Sequence, residues 1–263
     1  MKLTFCFPEG KKKALTFSYD DGAKPDERLV GIFNRYNMKA TFNLNAARYQ
    51  ENPEENATYL KKLYAGHEIA CHGKTHPFFE RITQMSLVED ILEDRRLLEK
   101  LTGRIINGMA YPYGTYDSNV IQTLRTLGIV YSRTVKSTGR FSFPDDFLEW
   151  NPTCHHRENI AELADRLLAT PYLSLCYGWG HSFEFERNND WHIMEDFCAK
   201  LAGKEDIWYA TNMEIHDYIT AFRRLVTSAD SHIVRNPSAQ TVWLLDRNDM
   251  PLELKGGSEM FLA

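Results

Sequence analysis

The stretch LTFSYDDG, Leu15–Gly22, is a short apolar run that ends on two adjacent carboxylates, Asp20 and Asp21, followed by a glycine. Two carboxylates this close repel each other unless a cation, a shared proton or a hydrogen-bond network compensates. A strand ending in this way asks for a compensating partner elsewhere in the chain.

Working outward, further short apolar runs alternate with helix-like segments. Besides KKALTFSY, the candidate strands are KATFNLN, GHEIACHG, INGMAYPYG, GIVYSRTV, FLEWNPTCHH and PYLSLCYGWG. Between them, helical spacing falls on residues 26–36, 54–64, 86–101, 118–127, 160–168 and 191–201. In the third, Ser86 followed by Glu89 reads as a capping box, and Leu87, Ile91, Leu92, Leu98 and Leu101 supply an apolar stripe. This alternation predicts βαβ units and a largely parallel sheet. About seven units favour a closed (β/α) barrel over an open sheet, with functional groups where strands end. Asp20, Asp21, His72, Tyr113, the CHH run at Cys154–His156 and His181 all fall at such ends. From Asp206 one more strand and a helix are expected to close the barrel. The division expected is a barrel over 1–226 and a small β-rich tail over 227–263, packed on it.

Composition narrows the function. The chain has 263 residues, 43% hydrophobic and 13% aromatic, which suits a folded enzyme-sized unit. A net charge of −5 offers no basic field for nucleic acid. The run Lys11–Lys13 reads as a solvated turn. Five scattered cysteines without a CxxC predict free thiols rather than a disulfide framework. No signal peptide and no apolar stretch of about 20 residues is visible, so no membrane partner is expected. A cytoplasmic location is expected for the chain as given, or a secreted one if a leader has been removed.

In HEIACHGKTHP, His72 and His76 stand four apart directly after a strand. On one helical turn such side chains share a face. With an aspartate from another strand end they make a two-histidine, one-carboxylate set with positions left open for water and substrate. Of the paired aspartates, one would then ligate a dication and the other stay ionised as a base.

The residues TFSYDDG, HGKTH and GWGH resemble motifs of the polysaccharide deacetylases, carbohydrate esterase family 4. AYPYG matches a third family motif in Pro112 and Tyr113, and Asp146–Trp150 resembles a fourth. The resemblance implies a deacetylase-type barrel that removes N-acetyl groups from a carbohydrate. It implies that Asp21, His72 and His76 hold a divalent transition metal, Zn²⁺ first, with Co²⁺, Ni²⁺ or Mn²⁺ as alternatives. It implies Asp20 as general base, His181 as general acid and the Tyr113 N–H as an oxyanion donor. The family's third-motif arginine, which braces the base, falls at Ala110, and Arg133 is the expected substitute. Gly73 stands where the family has Ser or Thr.

Trp150 and Trp179 end candidate strands and are expected as walls for a sugar, with a core role as the alternative. His155 and His156 read as hydrogen-bonded structural histidines, Cys71 as core packing, and the SFEFERNNDW segment as a covering loop. Two alternatives remain at this stage. One is a hydrolase of another non-peptide C–N bond on a small or non-sugar substrate. The other is a non-catalytic carbohydrate-binding protein. Sequence leaves the sugar and the oligomeric state open.

Overall fold

The structure, a computed structural model, describes residues 3–262. Its first half runs β1 (Thr4–Phe5), β2 (Lys13–Asp20), α1 (Asp26–Arg35), β3 (Thr41–Leu44), α2 (Pro53–Leu63), β4 (Glu68–Cys71), α3 (Gln84–Thr102), β5 (Gly108–Ala110), α4 (Ser118–Thr126) and β6 (Tyr131–Arg133). There follow β7 (Cys154–His155), α5 (Ile160–Ala169), β8 (Ser174–Gly180), α6 (Ser182–Asn188), α7 (His192–Leu201), β9 (Ile207–Tyr209) and α8 (Asn212–Arg223). The tail holds β10 (Val226–Thr227), β11 (Ile233–Arg235), β12 (Val242–Leu245), β13 (Pro251–Leu254) and β14 (Glu259–Phe261).

Parallel pairing runs β6–β5–β4–β3–β2–β8–β7, a curled sheet with helices around it. Its two ends meet through Trp150, whose N–H donates to Ser132 O at 3.1 Å while Thr134 N–H donates to Trp150 O at 3.0 Å. This is the deacetylase-type (β/α) barrel expected, with one correction. The strand after Asp206 does not close the ring. Instead β9 pairs with the first half of β2, Lys13–Leu15, while β3 takes the second half, Ser18–Asp20.

The alternation along β2 explains why it ends on carboxylates. Every residue from Lys13 to Asp20 is buried, as in a parallel strand covered on both faces. Leu15, Phe17 and Tyr19 join the large apolar cluster, with the Phe17 ring 4.7 Å from that of Phe33 of α1, tilted by 33°. Successive side chains point to opposite faces, so Thr16, Ser18 and Asp20 share the other one. There polar groups satisfy each other: Thr16 bonds Asn212 at 2.8 Å, and Ser18 accepts from Asn43 at 2.7 Å. Asp20 is the last inward position of that row.

Three local readings are corrected. Helix α3 begins at Gln84, and Thr83 rather than Ser86 caps it by accepting the Ser86 N–H at 3.2 Å. Lys13 is not a solvated turn residue: it opens β2, is buried, and pairs with Asp206 at 3.1 Å. Residues 182–188 form α6 rather than a loop. In the tail, β12 pairs with β1 on one side and β13 on the other, and Leu3 packs with Val242, Leu244 and Leu254. All five cysteines are free and buried. Among the described residues no helix is long and apolar enough to cross a membrane.

Asp26, at the start of α1, ties three helices together. It accepts from Tyr64 OH at 2.7 Å and from Ser182 Oγ. Burial raises its pKa to about 7, against the lowering effect of the Ser182 and Tyr64 bonds. Such a group stays protonated in the native state while the unfolded chain ionises, so stability falls as pH rises from about 4 toward 7. Asp26→Asn is expected to flatten this dependence by a few kcal/mol, on the order of ~1.4 per unit of pKa shift. Urea melts of both proteins at pH 4.5 and 7 check this, and parallel slopes would contradict it.

Candidate active site

At the C-terminal ends of the barrel strands lies a cleft of about 460 Å³. Asp20, Asp21, His72, His76, Tyr113, Trp179 and His181 all line it. Three of its non-glycine residues hold left-handed backbone: Asp21 (φ 78°), His76 (φ 55°) and Tyr113 (φ 57°). Each such conformation costs about 1–3 kcal/mol in a non-glycine residue and persists only where its surroundings enforce it.

Asp21 Oδ1 lies 3.8 Å from His72 Nε2, and the two Nε2 atoms of His72 and His76 face each other at 3.2 Å. His72 Nδ1 sits 2.9 Å from Ala110 O. That bond fixes the proton on Nδ1 and leaves the Nε2 lone pair facing the cleft, the usual support for a metal-binding histidine. Burial lowers the His72 pKa, opposed by Asp20 and Asp21, so the imidazole stays neutral. Two facing Nε2 atoms beside a carboxylate are a donor set that fits a cation held between them.

The loop joining the two histidines is not the helical turn the spacing suggested. Gly73 takes φ 74° and a Cβ there would stand 3.1 Å from Asp90 Oδ1. Helix α3 holds this loop through carboxylates. Asp94 accepts His72 N–H at 3.1 Å and Ala46 N–H at 2.8 Å, while Asp90 accepts Lys74 N–H at 2.8 Å and Thr75 N–H at 3.1 Å. Asn45 Nδ2 donates to His72 O and Gly73 O at 2.9 Å. These bonds hold the loop where the family's Ser or Thr hydroxyl is missing.

Asp20 is 2% exposed. It accepts from Asn43 Nδ2 at 2.8 Å and makes a close ion pair with Arg133. His72 and His181 approach it at 3.7 and 3.9 Å. Burial would raise its pKa, but Arg133, His72, His181 and Asn43 together hold it below the usual value. Arg133 is itself fully buried, with its guanidinium 4.3 Å over the Trp179 ring. Its Cα is the direct cross-strand partner of Ala110, so the guanidinium enters from one strand over.

His181 follows β8 and has Nε2 4.0 Å from Asp21 and Nδ1 3.6 Å from Glu184 Oε1. Burial would lower its pKa, but Glu184, Asp20 and Asp21 overcome this and raise it. Tyr113 is half exposed, its ring stacked on Phe78 at 3.7 Å and edge-on to His76 at 4.4 Å.

Trp150 is corrected. It is 1% exposed and packs among Tyr131, Phe147 and Tyr177, so it presents no face to the cleft. The fourth-motif match fails with it. Asp146 caps the turn at Phe147 and pairs with Arg125 at 2.7 Å, and Glu149 is exposed. The carboxylate beside His181 is Glu184. Sequence reasoning missed it, as it missed Asn43, Asp90 and Asp94. The signals present were a glutamate three residues after His181 and two acids four apart within the stripe of α3. Cys154 is buried, which pushes its thiol up to about 12.

Fold and cleft together define a deacetylase-type (β/α) barrel with a two-histidine, one-carboxylate cluster. Residues 8–132 match the sequence profile of the polysaccharide deacetylases. The peptidoglycan-N-acetylmuramic acid deacetylase PdaC of Bacillus subtilis is 27% identical over 105 residues, 39% of this chain and 22% of that protein. A peptidoglycan-N-acetylglucosamine deacetylase of Bacillus cereus is 31% identical over 93 residues, 34% of this chain and 41% of that protein. The chain thus spans less than half the length of each of these relatives. The crystal structure of a polysaccharide deacetylase from Mycobacterium smegmatis superposes with a TM-score of 0.64 at 18% identity, covering 84% of this chain and 94% of that one.

Proposed function

We propose that this chain is a metal-dependent hydrolase that removes N-acetyl groups from a carbohydrate. The observation that carries the reading is the meeting of a buried Asp20 paired with Arg133, the Asp21–His72–His76 trio and a raised-pKa histidine in one open cleft. A sugar-binding module has no use for a base, an acid and a metal site together.

Held by Asp21, His72 and His76, a divalent transition ion, Zn²⁺ first, would polarise the amide carbonyl and lower the pKa of water. Co²⁺, Ni²⁺ and Mn²⁺ suit the same donor set. Asp20 accepts the proton of the attacking water, and Arg133 keeps it ionised for that task. The N–H of Tyr113 donates to the oxygen that gains negative charge as the carbonyl becomes tetrahedral. His181, as imidazolium, gives its proton to the departing sugar nitrogen when the C–N bond breaks. The products are acetate and a free amine. Trp179 offers an apolar wall beside these groups, with one face already covered by Arg133.

The test is acetate release from N-acetylated chitooligosaccharides. Turnover is expected with metal-loaded protein, to be lost on chelation and restored by Zn²⁺ or Co²⁺. Turnover that survives complete chelation would favour a metal-free C–N hydrolase. Sugar binding without acetate release would favour a binding protein.

A further inference from the structure

A second group of metal-ligand side chains lies on the far side of His181. Among the described residues, His155, His156 and Glu184 are the other set whose ligand atoms all come within 4.8 Å of one another. His155 ends β7 and His156 follows it, while Glu184 lies in the first turn of α6. The Nε2 atoms of both histidines converge on the same oxygen, Glu184 Oε2, at 3.0 and 3.1 Å. Yet that oxygen, and both ring nitrogens of His156, are buried without a hydrogen-bond partner. A buried carboxylate oxygen and buried imidazole nitrogens left unpaired are costly.

The surroundings fix these donors in place. The His156 ring is sandwiched between Phe185, 4.1 Å away at 27°, and Tyr19, 5.8 Å away at 12°. It also occupies the space a side chain at position 180 would need: a Cβ on Gly180 would fall 1.9 Å from His156 Nδ1. The side chains of His155 and Glu184 are each 15% exposed, which leaves a way in. Ligands about 2.1 Å from a tetrahedral ion stand about 3.4 Å apart. The observed 3.0 and 3.1 Å are a few tenths of an ångström short of that spacing.

We propose that His155, His156 and Glu184 form a second divalent-cation site, distinct from the Asp21–His72–His76 cluster. Two imidazoles and one carboxylate suit Zn²⁺ or a similar borderline ion and disfavour Mg²⁺ and Ca²⁺, which prefer all-oxygen sites. Binding through His155 Nε2 places the proton on its Nδ1, so the long 3.3 Å contact from Arg157 N–H must loosen. The ion clips the end of β7 to α6. Glu184 Oε1, the oxygen left free, faces His181 Nδ1 at 3.6 Å. Through Glu184, occupancy therefore sets the position of His181. That consequence rests on the proposed deacetylase reading; the site itself does not.

The experiment is zinc stoichiometry by elemental analysis after loading and removal of free ion, with Kd from competition against a chromophoric chelator. Wild type is expected to hold two equivalents and the His72→Ala/His76→Ala variant one. In that background, His155→Ala is expected to remove the remaining ion and the near-isosteric Glu184→Gln to weaken it at least tenfold. Far-UV circular dichroism confirms that each variant is folded. Should the His72→Ala/His76→Ala protein hold no zinc, or hold it unaffected by His155→Ala and Glu184→Gln, the second site is overturned. Should wild type hold a single equivalent that survives His72→Ala/His76→Ala and is lost in His155→Ala alone, this site stands and the Asp21–His72–His76 site is removed.

Discussion

Asp20→Asn is expected to lower deacetylation by about 10²–10⁴-fold, the usual contribution of a general base, while leaving the metal bound. Asp20 has the surroundings of a base. It is 2% exposed, yet Arg133 and Asn43 hold it ionised. Its Oδ2 faces His72 and His181 without joining the trio formed by Asp21, His72 and His76. Asparagine keeps the shape and the Asn43 neighbour but cannot accept the water proton. The measurement is kcat for acetate release beside metal content on the same preparation. A variant that keeps wild-type turnover removes Asp20 from the mechanism. Loss of metal together with activity would make it a ligand instead.

Arg133→Ala should have two separable effects. Arg133 and Asp20 are a fully buried pair, with side chains 0% and 3% exposed. Deleting one partner of such a pair leaves an uncompensated charge and costs about 3–5 kcal/mol. The second effect is on pH. In the native protein Asp20 has a depressed pKa, so its ion pair contributes stability above the unfolded aspartate value of about 3.9. That contribution is lost as pH falls through the lower folded value. Without Arg133, burial raises the Asp20 pKa, and the acid limb of kcat/KM moves to higher pH. Arg133→Lys, which keeps the charge but not the planar fork, should fall between. A purely structural role would lower stability and leave the acid limb where it is. An unchanged limb and unchanged rate in Arg133→Ala would show that Asp20 does not depend on it.

Much of the barrel is legible in the sequence because its strands are short apolar runs cut by helical segments, and β2 buries both faces. The ends of these strands carry the polar chemistry, so Asp20, Asp21, His72 and His181 stand out. Arg133 could be guessed because the arginine missing at Ala110 has to come from a neighbouring strand, and its register places it directly across. Elsewhere local pattern misleads. Glu184 sits in a seven-residue helix whose composition reads as surface, and only the tertiary fold turns it toward three histidines. Asp90 and Asp94 interrupt an apolar stripe for a reason visible only once the His72 loop lies against α3. Trp150 fails as a pocket wall because it joins the two ends of the sheet, a pairing between residues 133 and 150 that no spacing rule encodes. The pairing of β1 with β12 is likewise non-local.

The central claim is a metal-assisted amide hydrolysis in the cleft of Asp20, Asp21, His72, His76 and His181. Its most direct test is acetate released from N-acetylated chitooligosaccharide by metal-stripped protein as Zn²⁺ is returned. Activity that rises with metal in the native protein and is absent from His72→Ala/His76→Ala at every metal concentration is the predicted result. Equal acetate release by the stripped and loaded proteins, or by the double variant, would contradict the account.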